Sequence, residues 1–431
     1  MKSGESRRRW STRTVYALAV IGAIAIAALG YVAAVPEESD VFPDRFDSAT
    51  PTPRELPGVL MTQIGAPSVR GVKIEMLENG VEIFPPMLDA IRDADSVVNF
   101  LTYVYWDGEI SERFADELAG AAQRGVRVRV LLDALGSARM PDRLVERMKE
   151  AGCEVVRFHP LHWYTLNRAN NRTHRKILVA DSVGFLGGVG IAEQWSGDAR
   201  GPGEWREVHF RVSGPIVPYL QTAFAENWRQ ATGELLVADP GEPGAPGPEA
   251  NTVVPVAGRP GGLSSQWFLY WSALRSARRE VLIATPYFVP GPPLADEIGA
   301  TARRGVDITL LVPGKRSDSA ITRYAGQAWY ERLLEAGVRI FEYRPTMMHS
   351  KLVVVDDIYS IIGSANFDNR SFDLNYEFSL AVLDSALAER IELSYRLDLS
   401  RSVEITPQEW RERSWLSRLR DRLAYLVREQ L

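Results

Sequence analysis

Cysteine is almost absent from the 431 residues. Cys153 stands alone, so no internal disulfide can form, and its place just before an apolar strand-like run suits a small core residue. An excess of positive charge is missing too. The 50 lysines and arginines are outnumbered by 55 aspartates and glutamates, for a net charge of −5 and an isoelectric point near 5.8. No global basic field therefore draws in polyanions, which argues against a nucleic-acid binder. Histidine is scarce, with five in the chain. At 45% hydrophobic residues there is ample material for two packed domains.

Long uncharged runs are equally rare, and the exception is informative. Thr14 to Val35 carries no charge, and 22 helical residues at about 1.5 Å each span a bilayer core of about 30 Å. Lys2, Arg7, Arg8, Arg9 and Arg13 precede it, and Glu37, Glu38 and Asp40 follow. The positive-inside rule then keeps residues 1–13 in the cytoplasm and sends the rest of the chain outside it. The stretch is longer than the 7–15 apolar residues usual in a cleaved signal peptide, so an uncleaved transmembrane helix over 14–35 is expected. The proline- and acid-rich residues that follow would tether a catalytic region, with 36–74 as tether and lead-in.

What is present is a sentence said twice. His174, Lys176 and Asp181 form the string His-x-Lys-x-x-x-x-Asp, and His349, Lys351 and Asp356 repeat it 175 residues later. Each string is followed by a small-residue turn, Gly187-Gly188-Val189-Gly190 and then Gly363-Ser364-Ala365-Asn366. In an extended segment alternate side chains share a face, so each histidine projects beside its lysine. That pair suits a phosphate: one group attacks or protonates while the other neutralises charge. A single copy would more often be a stray histidine on an exposed strand; two copies with matching flanks are not explained that way.

The duplication extends beyond the motifs. Ala121-Ala122-Gln123-Arg124-Gly125-Val126 leads into an apolar strand, and so does Ala302-Arg303-Arg304-Gly305-Val306. A second helix-to-strand step, at Ala151-Gly152 and at Ala336-Gly337, precedes each motif. The expected fold is α/β: two similar halves, 75–238 and 263–400, each a mainly parallel sheet flanked by helices. Asp239 to Gly262 reads as a Pro/Gly-rich linker between them. Residues 401–431 carry apolar residues at helical spacing with arginines between them, a C-terminal amphipathic helix. Such a stripe usually packs on its own domain, and that is the expectation here. Trp163 and Tyr164, in the insertion before His174, are loop anchors or lipid contacts.

The paired motifs and their glycine-rich followers resemble the phospholipase D superfamily over roughly residues 75 to 431. Three local strings are similar to its bacterial cardiolipin synthase branch: Thr285-Pro286-Tyr287-Phe288-Val289-Pro290, Asp133-Ala134-Leu135-Gly136-Ser137, and Asn369-Arg370-Ser371-Phe372-Asp373-Leu374-Asn375-Tyr376-Glu377. The resemblance implies a catalytic set of His174, His349, Lys176, Lys351, Asp181 and Asp356. One histidine attacks phosphorus to give a phosphohistidine, the amino-terminal His174 by analogy with members whose pair is unequal, and the other acts as acid and then base. Lys176 and Lys351, helped by Asn366, Ser364 and Gly188, would hold the phosphate oxygens. Glu207 and Glu377, about 30 residues beyond each motif, would each orient the histidine of their own half. Asp181 and Asp356 brace the site rather than touch substrate. With two lysines facing the phosphate, no metal or other cofactor is needed.

One irregularity is visible. The interval from Asp181 to Gly187-Gly188 is a residue shorter than that from Asp356 to Gly363-Ser364, and Gly190 stands where the second half has Asn366, which puts phosphate contact from the first half in question. The reading reached is a single-pass bacterial membrane protein, catalytic region extracytoplasmic, moving a phosphatidyl group between two phosphatidylglycerol molecules. Partners are the bilayer and that lipid, not nucleic acid, and one chain suffices because both motifs lie in it. The alternatives are a hydrolytic phospholipase D, a nuclease of the same superfamily, and an inactive scaffold; intact motifs oppose the last.

Overall fold

The computed structural model describes residues 49–160, 170–237, 251–261 and 264–431, with scattered positions before residue 49. The chain divides into two compact units, Met1–Pro43 and Asp44–Leu431, and the sheets belong to the second. Most of the expected span 14–35, the linker through residue 250, Trp163 and Tyr164 lie outside the described residues. Among the described residues no helix is long and apolar enough to cross a membrane.

Two sheets repeat one strand order. The first runs Lys73–Glu78, Val208–Ser213, Val183–Gly187, Ile177–Ala180, Val97–Thr102, Arg127–Asp133, Glu154–Phe158. The second runs Thr252–Gly258, Glu377–Leu383, Tyr359–Gly363, Leu352–Val355, Glu280–Ala284, Asp307–Pro313, Arg339–Tyr343, with Val69–Arg70 and Ser402–Ile405 added at its two edges. The expected α/β duplication is there, but the sheets are mixed rather than mainly parallel. Within these two sheets only the strands joined by helical crossovers, such as Val97–Thr102 with Arg127–Asp133, pair in parallel. Each motif strand instead returns through a tight turn, Ile177–Ala180 on Val183–Gly187 and Leu352–Val355 on Tyr359–Gly363, and a tight turn makes an antiparallel pair.

Three expected boundaries shift. Thr252–Gly258, assigned to the linker, is the first strand of the second half; its buried Val253, Val254 and Val256 make it core. The lead-in is folded as well. Its helix Leu56–Ile64 puts Leu56 and Leu60 into the second half's core, and Phe46 meets Trp271 with ring centroids 5.3 Å apart. The C-terminal stretch is an edge strand followed by two helices, Pro407–Arg411 and Trp415–Tyr425, not one helix.

A single apolar cluster is shared by both halves, with Phe210, Leu220 and Trp228 from one and Leu352, Leu380, Ile391 and Tyr395 from the other. The halves are therefore one packed body. The motif turns show where the length irregularity goes. The first hairpin closes through Asp181-Ser182 and the second through Asp356-Asp357-Ile358. The missing residue is absorbed at the turn, a whole strand away from the histidine, and the site end keeps its register. Both aspartates sit at positive φ, 48° and 53°, which short polar side chains tolerate.

These aspartates work as turn braces. The Asp181 carboxylate accepts the backbone N–H groups of Asp95, Ser96 and Val97, and Asp356 accepts those of Arg278, Arg279 and Glu280, at 2.7 to 3.1 Å. The structure thus gives them no catalytic contact. Asp356→Ala leaves three amides without an acceptor and should cost about 2–4 kcal/mol, the more exposed Asp181→Ala less. Thermal denaturation reads that cost, and turnover per folded molecule should stay within about twofold of the parent. Lost turnover at unchanged stability would return both residues to the catalytic set.

Candidate active site

The histidine end of each motif is held by the other half. Thr173 pairs in parallel with Tyr376, and the His174 N–H donates to Tyr376 O at 3.0 Å. In the matching place Met347–Met348 pairs in parallel with Trp205–Arg206, and the His349 N–H donates to Arg206 O at 2.7 Å. The residue after each of these segments is an acid. His174 Nδ1 therefore lies 2.8 Å from Glu377 Oε1, and His349 Nδ1 lies 2.6 Å from Glu207 Oε2. The expected partners are exchanged: the reach of each glutamate is set by cross-half strand pairing, which sequence separation does not reveal.

Both acids are buried and seated differently. Glu207 accepts the Val208 N–H at 3.0 Å and the Trp195 indole N–H at 3.3 Å. Gly188 makes room for it, since a Cβ there would stand 2.4 Å from the carboxylate. Glu377 receives the Ser364 hydroxyl in a short bond, while the Ser364 amide donates to Phe378 O at 3.1 Å. Ser364 is thus part of an acid's seat and not the phosphate donor expected. Asn366 is buried, its N–H donating to Ser371 Oγ at 3.0 Å and its Oδ1 without a hydrogen-bond partner among the described residues. At the matching Gly190, a side chain would strike Val104 and the Trp195 ring, so packing demands glycine there.

With Nδ1 engaged, Nε2 is the nitrogen each ring offers to a substrate. The two histidine residues are 8% and 5% exposed. Lys176 Nζ donates to His174 O at 2.7 Å and Lys351 Nζ to His349 O at 2.6 Å, which fixes both ammonium groups beside their histidines. Lys351 Nζ also stands 3.0 Å from His349 Nδ1. Burial dominates the electrostatics. It lowers His174 to about 4 and Lys176 to about 7, with Glu377 opposing both shifts, and it lowers His349 and Lys351 as well. Burial raises Glu207 despite Lys351; in Glu377 burial is outweighed by His174 and Lys176, so that carboxyl ends below its ordinary value.

Several contributors were not apparent from the sequence. Tyr103 presents its ring edge-on to His174 at 5.2 Å between centroids, and Tyr287 does so to His349 at 6.1 Å. Both follow a threonine, Tyr103 directly and Tyr287 after Pro286, and Thr102 and Thr285 each bond the carbonyl two residues on. The strings Thr102-Tyr103-Val104 and Thr285-Pro286-Tyr287 carried that signal. Tyr287 Oη is held by Asp318 at 2.7 Å. Two fully buried arginines stand on either side of His174 in the chain. Arg172 pairs with Asp133 at 2.8 Å, and Arg175 donates across to Glu377 O and Gly258 O, both at 3.0 Å.

Comparison with known proteins bears on this arrangement. The family described as cardiolipin synthase, PLD-like domain, matches residues 87–195 and 270–396, one segment in each half and one motif in each segment. A probable cardiolipin synthase of Bacillus subtilis is 32% identical over 366 residues, covering 82% of this chain and 71% of the relative. The chain belongs to this cardiolipin synthase family of phospholipase D-like proteins. Cardiolipin synthase A of Pseudomonas fluorescens is 34% identical over 84% of the chain and 75% of its own length. Cardiolipin synthase 2 of Bacillus anthracis is 34% identical over 76% of the chain, which spans 65% of that protein. In fold, the family member is similar to the crystal structure of a phosphatidylserine synthase from Haemophilus influenzae, with a TM-score of 0.64 at 16% identity, covering 83% of this chain and 95% of that one.

The exchanged acids can be tested directly. Gly188→Ala should push Glu207 off His349 and lower turnover at least about tenfold, while pairing it with Glu207→Asp, which withdraws the carboxylate, should recover part of the loss. Glu377→Gln should remove the Nδ1 partner of His174 alone. Imidazole nitrogen NMR reads which ring responds, and a changed His349 signal with an unchanged His174 signal would restore within-half pairing.

Proposed function

We propose that this chain makes cardiolipin and glycerol from two molecules of phosphatidylglycerol through a phosphohistidine. The observation that carries the reading is the pair of buried histidines, each tied at Nδ1 to an acid of the other half and flanked by a lysine. His174 Nε2 attacks the phosphorus of the first lipid. The bond from phosphorus to the glycerol headgroup oxygen breaks, and His349 supplies that oxygen with a proton from Nε2. The headgroup hydroxyl of the second lipid then gives its proton to His349 Nε2 and attacks the phosphohistidine, releasing His174. Lys176 and Lys351 neutralise the charge that builds on the phosphate oxygens.

The local asymmetry supports this division of labour. Among the described residues His174 Nδ1 has one partner, the anionic Glu377, so its Nε2 carries the free lone pair of a nucleophile. His349 Nδ1 faces the Lys351 ammonium and Glu207, an acid whose proton affinity burial raises. A proton passed from Glu207 to Nδ1 makes the ring an imidazolium with both nitrogens protonated, and its Nε2–H is the one a general acid gives up. Both acids, both lysines and both histidines come from one chain, so a monomer holds a full site. The site would face the extracytoplasmic leaflet, with 14–35 as the single membrane span and 239–250 as the surviving linker.

Product analysis in a cardiolipin-deficient host tests the reaction. Cardiolipin with released glycerol is expected; phosphatidic acid alone would mean that water is the acceptor, a hydrolytic phospholipase D. For the roles of the histidines, His349→Ala should still release nitrophenol from a p-nitrophenyl phosphodiester, whose leaving group needs little protonation, and should trap label on His174. His174→Ala should release none. Label on His349 in that variant would reverse the roles.

The lowered lysine sets a pH limit. Free Lys176 loses its charge as pH rises through about 7, so kcat/KM should fall on that side, while kcat persists to higher pH because bound phosphate holds the ammonium. A kcat/KM flat from pH 6 to 10 would remove Lys176 from the phosphate.

A further inference from the structure

A surface helix of a folded domain turns its apolar stripe inward and its charges to water. The helix Trp415–Tyr425 does the reverse. Its one buried residue is Asp421, 1% exposed, on which Arg413 and Arg420 close at 2.8 and 2.7 Å. Trp415 is 70% exposed, and Leu416, Leu419, Leu423, Leu426 and Val427 are exposed with it. These positions recur every three to four residues and so share one face.

The helix is firmly docked in this orientation. Ser414 caps its first turn by accepting the Ser417 N–H at 3.3 Å. Below it runs the helix Ala320–Gln327, on which the Arg420 guanidinium stacks over Tyr324 at 3.6 Å and reaches Gln327. The Tyr425 ring meets Trp329 edge-on at 5.6 Å. Polar and aromatic contacts hold the inner side, and leucines with a tryptophan form the outer one. Folding alone gives no reason for that choice, because the stripe would gain by facing the domain.

Charge identifies what covers the face. From Trp415 to Arg428 the segment has four arginines and one acid, and that acid is buried between arginines, so the outer surface is cationic in a chain whose net charge is −5. Leucine, tryptophan and arginine on one helix suit the boundary between anionic headgroups and acyl chains. Position agrees. Ala320–Gln327 starts two residues after Asp318, whose carboxylate holds the Tyr287 phenol beside His349. Beyond the helix, Gln430 O accepts from Arg370, which also holds Asn170, four residues before His174. The helix thus flanks the ground between both motifs.

We propose that Trp415–Tyr425 lies in an anionic lipid surface and seats the active site on the membrane. The face is a docking surface in its own right, independent of the reaction assigned above. It is tested on the full chain in vesicles. Cys153 is buried, so a cysteine at Leu419→Cys or Leu423→Cys takes an environment-sensitive fluorophore selectively, with Glu146→Cys on the helix Asp142–Glu150 as the distant control. With doxyl-labelled lipid in phosphatidylglycerol vesicles, the probes at 419 and 423 should shift to the blue and be quenched, the control should not, and pure phosphatidylcholine should give a weaker response. Absence of quenching overturns the proposal, and so does equal quenching in both lipids. A blue shift without lipid that vanishes on dilution would assign the face to a second copy of the chain. Quenching needs no turnover, so it stands or falls apart from the enzymatic reading. Leu416→Asp, Leu419→Asp and Leu423→Asp combined should lower the rate on vesicle lipid at least about tenfold, yet leave a soluble phosphodiester within about twofold.

Discussion

Two short parallel strand contacts between the halves govern this molecule. Thr173 with Tyr376, and Met347–Met348 with Trp205–Arg206, each place the end of one motif beside the acid of the opposite half. A histidine in an isolated half would have its lysine but not its carboxylate. The site is therefore a property of the docked pair, and the docking is over-determined. Arg175 reaches from the first motif to carbonyls of the second half, Arg206 pairs with Asp398 of the second half at 2.9 Å, and a shared apolar cluster closes the rest. Removing one partner from such a buried pair leaves an unpaired charge, so these arginines specify the docking geometry as well as adding to it.

Concentrating two lysines, two histidines and two glutamates in a buried site is expensive, and the proton affinities record where that strain falls. Histidines and lysines are pushed toward neutrality by burial, with Lys351 also acting on Lys176, and the glutamates supply the compensating charge. An incoming phosphodiester brings the negative charge the lysines lack. Binding energy and proton affinity are thereby coupled, since the ligand that needs the cations also holds them protonated.

The repeated motifs, the duplicated helix-to-strand steps and the acids were legible in the sequence because each leaves a local string. The pairing of acids with histidines was not, because it depends on which strand ends meet across the halves. Sheet direction was not legible for a related reason: alternating helices and strands signal parallel crossovers, whereas the motif hairpins turn on Asp181-Ser182 and Asp356-Asp357-Ile358 without the usual glycine signal. Thr252–Gly258 hid behind Pro255 and the proline-rich run before it. The C-terminal stripe could be counted from sequence, but periodicity fixes only that a face exists. Which way it points was decided by Asp421 and the arginines around it.

The crossed acids give the fused chain a freedom that a symmetric pair of separate subunits lacks. In a pair of identical subunits every substitution is made at both sites at once, so neither histidine can acquire its own surroundings. Here Gly188 faces Glu207 where Ser364 faces Glu377, and Trp195 fills the space over Gly190 where the second half has Asn366. One covalent connection has turned a twofold axis into an approximate one. Along that broken axis, a pair of equal histidines can inherit unequal tasks.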